Sequence, residues 1–193
     1  MLVISCHADT GFASHRLRKR RGGVLVGHLD NFVGVHAVMQ AYFSGRLDLD
    51  CVRIELTHGE EKGLLGAREV CRTLDRDDVV AVVDVTGTRT RKAVCIEKCR
   101  DAELRAFLRR CLRGLSYVLY EGCPDPVSTV DEVDVYCRRC RRTFFLGIPV
   151  QGGDYNAGVV RCRQRSIDAA AEAVCRIAEG YKPVEKAARP SWA

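Results

Sequence analysis

Two adjacent carboxylates, Glu60 and Glu61, follow the strand-like run Cys51–Leu56 and precede the glycines at 63 and 66. Like charges side by side at a strand exit repel unless a cation lies between them or a proton is shared. Other polar residues stand at comparable places. His7 and Asp9 follow Leu2–Cys6, Asp30 follows Val24–His28, and Asp84 follows Val79–Val83. Open α/β sheets bind ligands outside the carboxyl ends of their strands. One imidazole and several carboxylates gathered there make a mixed nitrogen and oxygen site for a divalent metal, zinc first, with manganese or cobalt as alternatives. Asp9, two residues from His7, can hold the second ring nitrogen and fix its tautomer.

Such a site needs elements that bring these residues to one place. Short apolar runs read as strands at Leu2–Cys6, Val24–His28, Cys51–Leu56, Val79–Val83, Lys92–Ile96, Ser116–Tyr120 and Thr143–Ile148, the last closed by Pro149. Between them lie helical patterns. One is capped by Asp30 or Asn31 and runs to about Phe43, with Val33, Ala37 and Ala41 on one face. Others cover Gly66 to about Leu74, Asp101–Leu112, Asp131–Arg139 and Arg165–Glu179. Strands alternating with helices predict an α/β sandwich with a largely parallel sheet. Residues 1–182 are expected to form one α/β domain, and 183–193, with Pro183 and Pro190, a loose tail.

The 193 residues suffice for one well-buried core. No apolar run approaches the ~18 residues of a membrane span, and the start lacks the basic residues of a signal peptide, so the cytoplasm is the expected compartment. Eleven cysteines without a framework pattern read as mostly buried free thiols; Cys137 and Cys140 form the only C-x-x-C, with no second pair for a zinc knuckle. The formal charge is +6, densest at His15–Arg21. No aromatic residue interleaves there to stack bases, so the cluster reads as a solvated hairpin or loop, not a nucleic-acid surface.

Four pieces in order, Cys6-His7-Ala8-Asp9, Gly27-His28-Leu29-Asp30-Asn31-Phe32-Val33-Gly34, Glu60-Glu61-Lys62-Gly63-Leu64-Leu65-Gly66-Ala67 and Val83-Asp84-Val85, resemble the co-catalytic metallo-aminopeptidases. These are the zinc exopeptidases of the glutamyl-aminopeptidase/endoglucanase-like and leucine-aminopeptidase-like families. The resemblance covers residues 2–90 well and 116–180 more weakly, through Gly147-Ile148-Pro149. It implies a three-layer α/β sandwich with a mostly parallel mixed central sheet. It also implies that His7, Asp30 and Asp84 hold one metal, that Asp30 bridges to a second bound by Glu61, that Glu60 is the general base toward a metal-activated water, and that Asp9 orients His7. The substrate would be a peptide or small amide.

The chain departs from the family at three points. The last ligand of such enzymes is a histidine after the Gly-Ile-Pro strand, but the histidines here stand at 7, 15, 28, 36 and 58. Asp154 is the nearest candidate and is an oxygen donor. The chain begins almost at the first motif. Only about twenty residues separate Asp9 from Asp30, too few for the inserted lid domain of one branch, so large-cage assembly does not carry over, although a homo-oligomer stays open. Each residue also has a plainer role: Asp30 as helix cap, Glu61 as complement to a helix dipole, Asp84 as turn acid, His7 as a hydrogen-bonded histidine. His28, His36 and His58 read as structural. Metal-dependent aminopeptidase-like hydrolysis leads, ahead of a non-catalytic binding relative and an N-acyl amino acid deacylase.

Overall fold

The most apolar run of the sequence lies mid-sheet, as burial on both faces requires. In a computed structural model, which describes residues 1–182, strands form at β1 (Leu2–His7), β2 (Leu17–Arg20), β3 (Val24–Gly27), β4 (Val52–Thr57), β5 (Val79–Thr86), β6 (Val94–Glu97), β7 (Tyr117–Leu119), β8 (Arg142–Gln151) and β9 (Val160–Arg163). The tail expected at 183–193 lies outside the described residues. The sheet order is β2-β3-β9-β8-β5-β1-β4, with β6 and β7 branching from β8. It is mixed: parallel across β8-β5-β1-β4, antiparallel through β9, β3 and β2.

Alternation along β5 sorts its side chains into two layers. Val79, Ala81, Val83 and Val85 pack with helices α1 (Phe32–Phe43), α3 (Ala102–Cys111) and α5 (Gln164–Gly180); Val80 and Val82 pack with α2 (Leu65–Thr73) and α4 (Glu132–Tyr136). Helices on both faces of a sheet give three layers.

Local chemistry sets the helix starts. The Asn31 side chain accepts from the Gly34 N–H at 3.0 Å and caps α1. Its amide donates to the Val83 carbonyl at 2.9 Å, so the cap also pins α1 to the sheet. Asp131 and Asp134 form a capping box on α4. At the start of α2, a Cβ on Gly66 would lie 2.6 Å from the His58 nitrogen; only glycine lets the helix approach the end of β4 so closely.

Three expectations need correcting. Asp84 does not follow its strand but sits inside β5, two residues before its end. Pro149 does not close β8, which runs on to Gln151. It falls between Gly147, the last β8 residue paired with β6, and Val150, the first paired with β9, so that edge has no partner for a proline to deprive. Strand β9 was not expected; its buried Val160 and Cys162 alternate with exposed Arg161 and Arg163, too short a run to stand out. The basic cluster forms an exposed hairpin strand, β2. All eleven cysteines are free, and Cys137 alone is exposed. No described helix is long and apolar enough to cross a membrane.

Candidate metal centre

The sheet register builds the centre. β1 and β5 run parallel with Ser5 beside Val82, and the same register carries His7 to Asp84. Asp30 arrives from the turn before α1, at whose start the Asp30–Asn31 peptide is cis. His7 Nε2 lies 3.0 Å from Asp30 Oδ1 and 3.3 Å from Asp84 Oδ2. The three groups are buried, and one ligand atom from each lies within 4.8 Å of the others. On the far side of the ring, His7 Nδ1 faces Asp9 Oδ1 at 3.5 Å, beyond a well-formed hydrogen bond, and is otherwise buried without a partner.

The paired glutamates come from the neighbouring strand. β4 lies beside β1 with Thr57 opposite His7, and the chain then turns through a single 3₁₀ turn, Glu60–Lys62. Gly63 closes that turn at φ 98°, in the left-handed region glycine favours. The Glu60 N–H points at Asp9 Oδ1, 3.3 Å away. Glu61 Oε1 is buried without a partner, and a Cβ on Gly11 would lie 3.0 Å from its other oxygen.

The electrostatics follow from crowding acids into a low dielectric. Burial pushes the Asp84 carboxyl well up, against the opposing His7 charge and with the help of Asp30. Burial, reinforced by Asp30 and Glu61, pushes Glu60 up to about 7 although His7 pulls it down. Glu61 is raised by burial and by Asp30. Burial resists a charge on His7, yet the Asp84 charge and hydrogen bonds to Asp30 and Asp84 push it up to about 12.

A divalent cation fits this set. The donors are one imidazole nitrogen and carboxylate oxygens, the buried negative charge lacks a full counter-charge, and Glu61 keeps a buried oxygen with no hydrogen-bond partner. His7, Asp30 and Asp84 reach the cradle from β1, the turn before α1 and β5.

Asp154 lies apart from this convergence. It is exposed, and its carboxylate accepts from the Asn156 N–H at 2.9 Å. The neighbouring Tyr155 and Asn156 instead line a cleft of about 30 Å³ with Asp30, Glu60 and Asp84. Tyr155 is 6% exposed and donates through its hydroxyl to Asp125 Oδ2 at 2.8 Å.

Sequence reasoning missed two buried acids that flank the centre. Glu132, on α4, takes the Ser5 hydroxyl at 2.8 Å and the Thr57 hydroxyl, from the two strands that carry His7 and the glutamate turn. Glu97, on β6, has the Thr86 and Thr88 hydroxyls at 2.9 Å. Glu132 is masked by the capping acids Asp131 and Asp134 on either side of it, and Glu97 has no spacing that marks it.

Solved structures share this architecture. The dodecamer PhTET1-12s is similar at 14% identity, over 86% of this chain and 53% of that one, with a TM-score of 0.68. Aminopeptidase APDkam598 from the archaeon Desulfurococcus kamchatkensis is similar at 16%, over 86% and 51%, with a TM-score of 0.66. Aminopeptidase PepT from Bacillus cereus is similar at 11%, over 93% and 80%, with a TM-score of 0.66. The chain spans about half the length of the first two. No curated protein matches it. The fold is thus the α/β sandwich of aminopeptidases. The sequence model of Peptidase family M28 matches residues 1–120, and the chain belongs to that family.

Proposed function

We propose that the protein is a metal-dependent, aminopeptidase-like hydrolase of peptide or amide bonds, acting in the cytoplasm. The observation that carries this reading is the convergence of His7, Asp30 and Asp84, buried, beside Glu60. His7, Asp30 and Asp84 would hold one divalent metal, zinc by donor type, and Glu61 with Asp30 a second. The metal supplies Lewis-acid polarisation of the scissile carbonyl and acidifies water. Glu60 is the general base: it is half-buried, lines the cleft with Asp30 and Asp84, and is not needed as a ligand, which leaves its carboxylate to take and return a proton. Asp9 accepts from the Glu60 N–H at 3.3 Å and stands 3.5 Å from His7 Nδ1, so it is placed to align ligand and base once it closes on the ring.

A second reading, a binding or regulatory relative without turnover, has one observation in its favour. Tyr155 and Asn156 occupy the cleft wall after β8, where the resemblance calls for a histidine ligand. PhTET1-12s is a dodecamer, and the likeness to it supports a homo-oligomer. Elemental analysis of the purified protein, with a screen of aminoacyl amides under added zinc, manganese and cobalt, tests the two readings. Hydrolysis that needs metal supports the enzyme. A protein that takes up metal yet stays inert with every amide supports the binding relative.

A further inference from the structure

The basic hairpin is one end of a longer feature. Directly opposed residues of antiparallel strands point to the same face. The register sets Arg20, Val24 and Arg163 in one row across β2, β3 and β9, and Arg18, Val26 and Arg161 in the next. Four arginines therefore share one face of this ribbon, with valines between them and the core on the other side. All four are exposed, and among the described residues none has a carboxylate within ion-pair distance.

This face floors a groove of three joined cavities. The middle one, about 320 Å³, is closed by Arg91 and Arg165 and carries no acidic residue. It shares Arg20 and Val26 with a cavity of about 510 Å³ along the hairpin, and Thr90, Arg91 and Gln151 with one of about 650 Å³. No acid lines either of these. The largest of the three adjoins the acidic cleft. Gly87 lines it, and the Gly87 N–H donates at 2.8 Å to Asp125, which lines the cleft of Asp30, Glu60 and Asp84.

We infer that this arginine-lined groove binds the acidic residues of a peptide whose amino end lies at the metal centre; the inference rests on the hydrolase reading and specifies its substrate class. The argument is one of paired polarity. Besides the proposed ligands the cleft carries Glu97, Asp125 and Asp131, the groove carries guanidinium groups, and the two adjoin at Gly87 and Asp125. A peptide with a free amine at one end and aspartate or glutamate residues after it carries the complementary order of charge. A nucleic-acid backbone carries one sign throughout and gains nothing from the acidic end. No phenylalanine, tyrosine or tryptophan lines any of the three cavities, and His15 at one end is the lone ring, so successive unstacked bases find no run of platforms. Arginine is suited to carboxylate because its planar fork donates two parallel hydrogen bonds.

The test is fluorescence anisotropy with a labelled five-residue peptide, one alanine followed by four glutamates, against its glutamine counterpart and a mixed-sequence DNA duplex. The label is placed at the carboxyl end. The glutamate peptide is expected to bind about tenfold or more tightly than the glutamine peptide, with affinity falling as salt rises. The double substitution Arg161→Ser and Arg163→Ser should weaken the glutamate peptide about tenfold and leave hydrolysis of a neutral aminoacyl amide unchanged. Arg18→Ser with Arg20→Ser, on a different strand, should act in the same direction and covers the case of a misfolded first variant. Equal binding of the two peptides overturns the inference, as does a duplex that binds more tightly than the glutamate peptide and loses affinity in the same variants. Weak peptide binding alongside robust amide hydrolysis removes the inference and spares the hydrolase reading. Tight glutamate-peptide binding with no hydrolysis under any metal does the reverse.

Discussion

Asn31 offers the sharpest check on how this fold holds its centre. It is 2% exposed, and its side chain serves two elements at once. The oxygen caps α1 through Gly34, and the amide nitrogen binds the Val83 carbonyl at 2.9 Å and the Cys6 sulfur at 3.3 Å. Asn31→Ala removes the cap, at about 1 kcal/mol. It also leaves a buried carbonyl of the central strand without its side-chain donor, at about 1–3 kcal/mol. The two together predict a loss of about 2–4 kcal/mol, since they act on different groups of the same residue. For a chain of this size that lowers Tm by roughly 5–15 °C. Asn31→Ser keeps a cap oxygen and loses only the amide donor, so it should recover about 1 kcal/mol of the loss. Urea denaturation followed by circular dichroism measures both, with an unchanged m-value showing that the folded state is intact. A loss below about 1 kcal/mol in the alanine variant, or a serine variant no better than alanine, refutes the assignment. Because Asp30 is the preceding residue, metal uptake should weaken in step.

Four further outcomes are expected. Glu60→Gln should abolish amide hydrolysis while the metal content by elemental analysis stays that of the parent, because the base is lost and no ligand is. Zinc at a hundred times its Kd should stabilise the parent by about 2.7 kcal/mol, or roughly 5–10 °C in a thermal scan, and Asp84→Asn should erase most of that shift. Asp154→Ala should leave metal content unchanged, since its exposed carboxylate is already turned to the Asn156 N–H; a drop by one ion per chain would bring Asp154 into the centre. Arg46→Ala, which breaks surface pairs with Glu172 at 2.6 Å and Glu179 at 2.7 Å, should barely move the urea midpoint, and less still at high salt.

Much of the architecture was legible because each central strand is a short apolar run set off by turn residues. The strand ends at His7 and before Asp30 and Glu61 could be read from such runs. Asp84 was misplaced for a physical reason. An acid after five apolar residues reads as a strand end, because the pattern cannot distinguish an exit from a carboxylate turned into a buried site. Strand β8 was cut short by the same kind of inference, since proline is tolerated where a strand changes partners. β9 offered only two apolar residues. Asp125, Glu97, Glu132 and Tyr155 were illegible because the hydroxyl partners that tie them to the sheet and the cleft lie 9 to 127 residues away in the chain. Only the strand order brings them together, and no spacing in the sequence encodes that order.

The same strand order accounts for how so many acids coexist. Buried carboxylates are tolerable when donors surround them. Here the donors come from the strands that carry the candidate ligands: Ser5 lies two residues before His7, and Thr86 two residues after Asp84. Side chains two apart share a face of a strand. Each strand thus turns a ligand and a hydroxyl to the same side, the ligand toward the cleft and the hydroxyl toward Glu132 or Glu97. The flanking acids are thereby held by neutral donors, and the core of the cleft keeps an unmatched negative charge. That excess is what a divalent cation would meet. The arginine face arises farther along the same sheet, where β9 and β3 pair antiparallel. The transition from acidic cleft to basic groove is therefore a property of the sheet's order, and separating the two would require breaking the β8–β9 pairing that joins them.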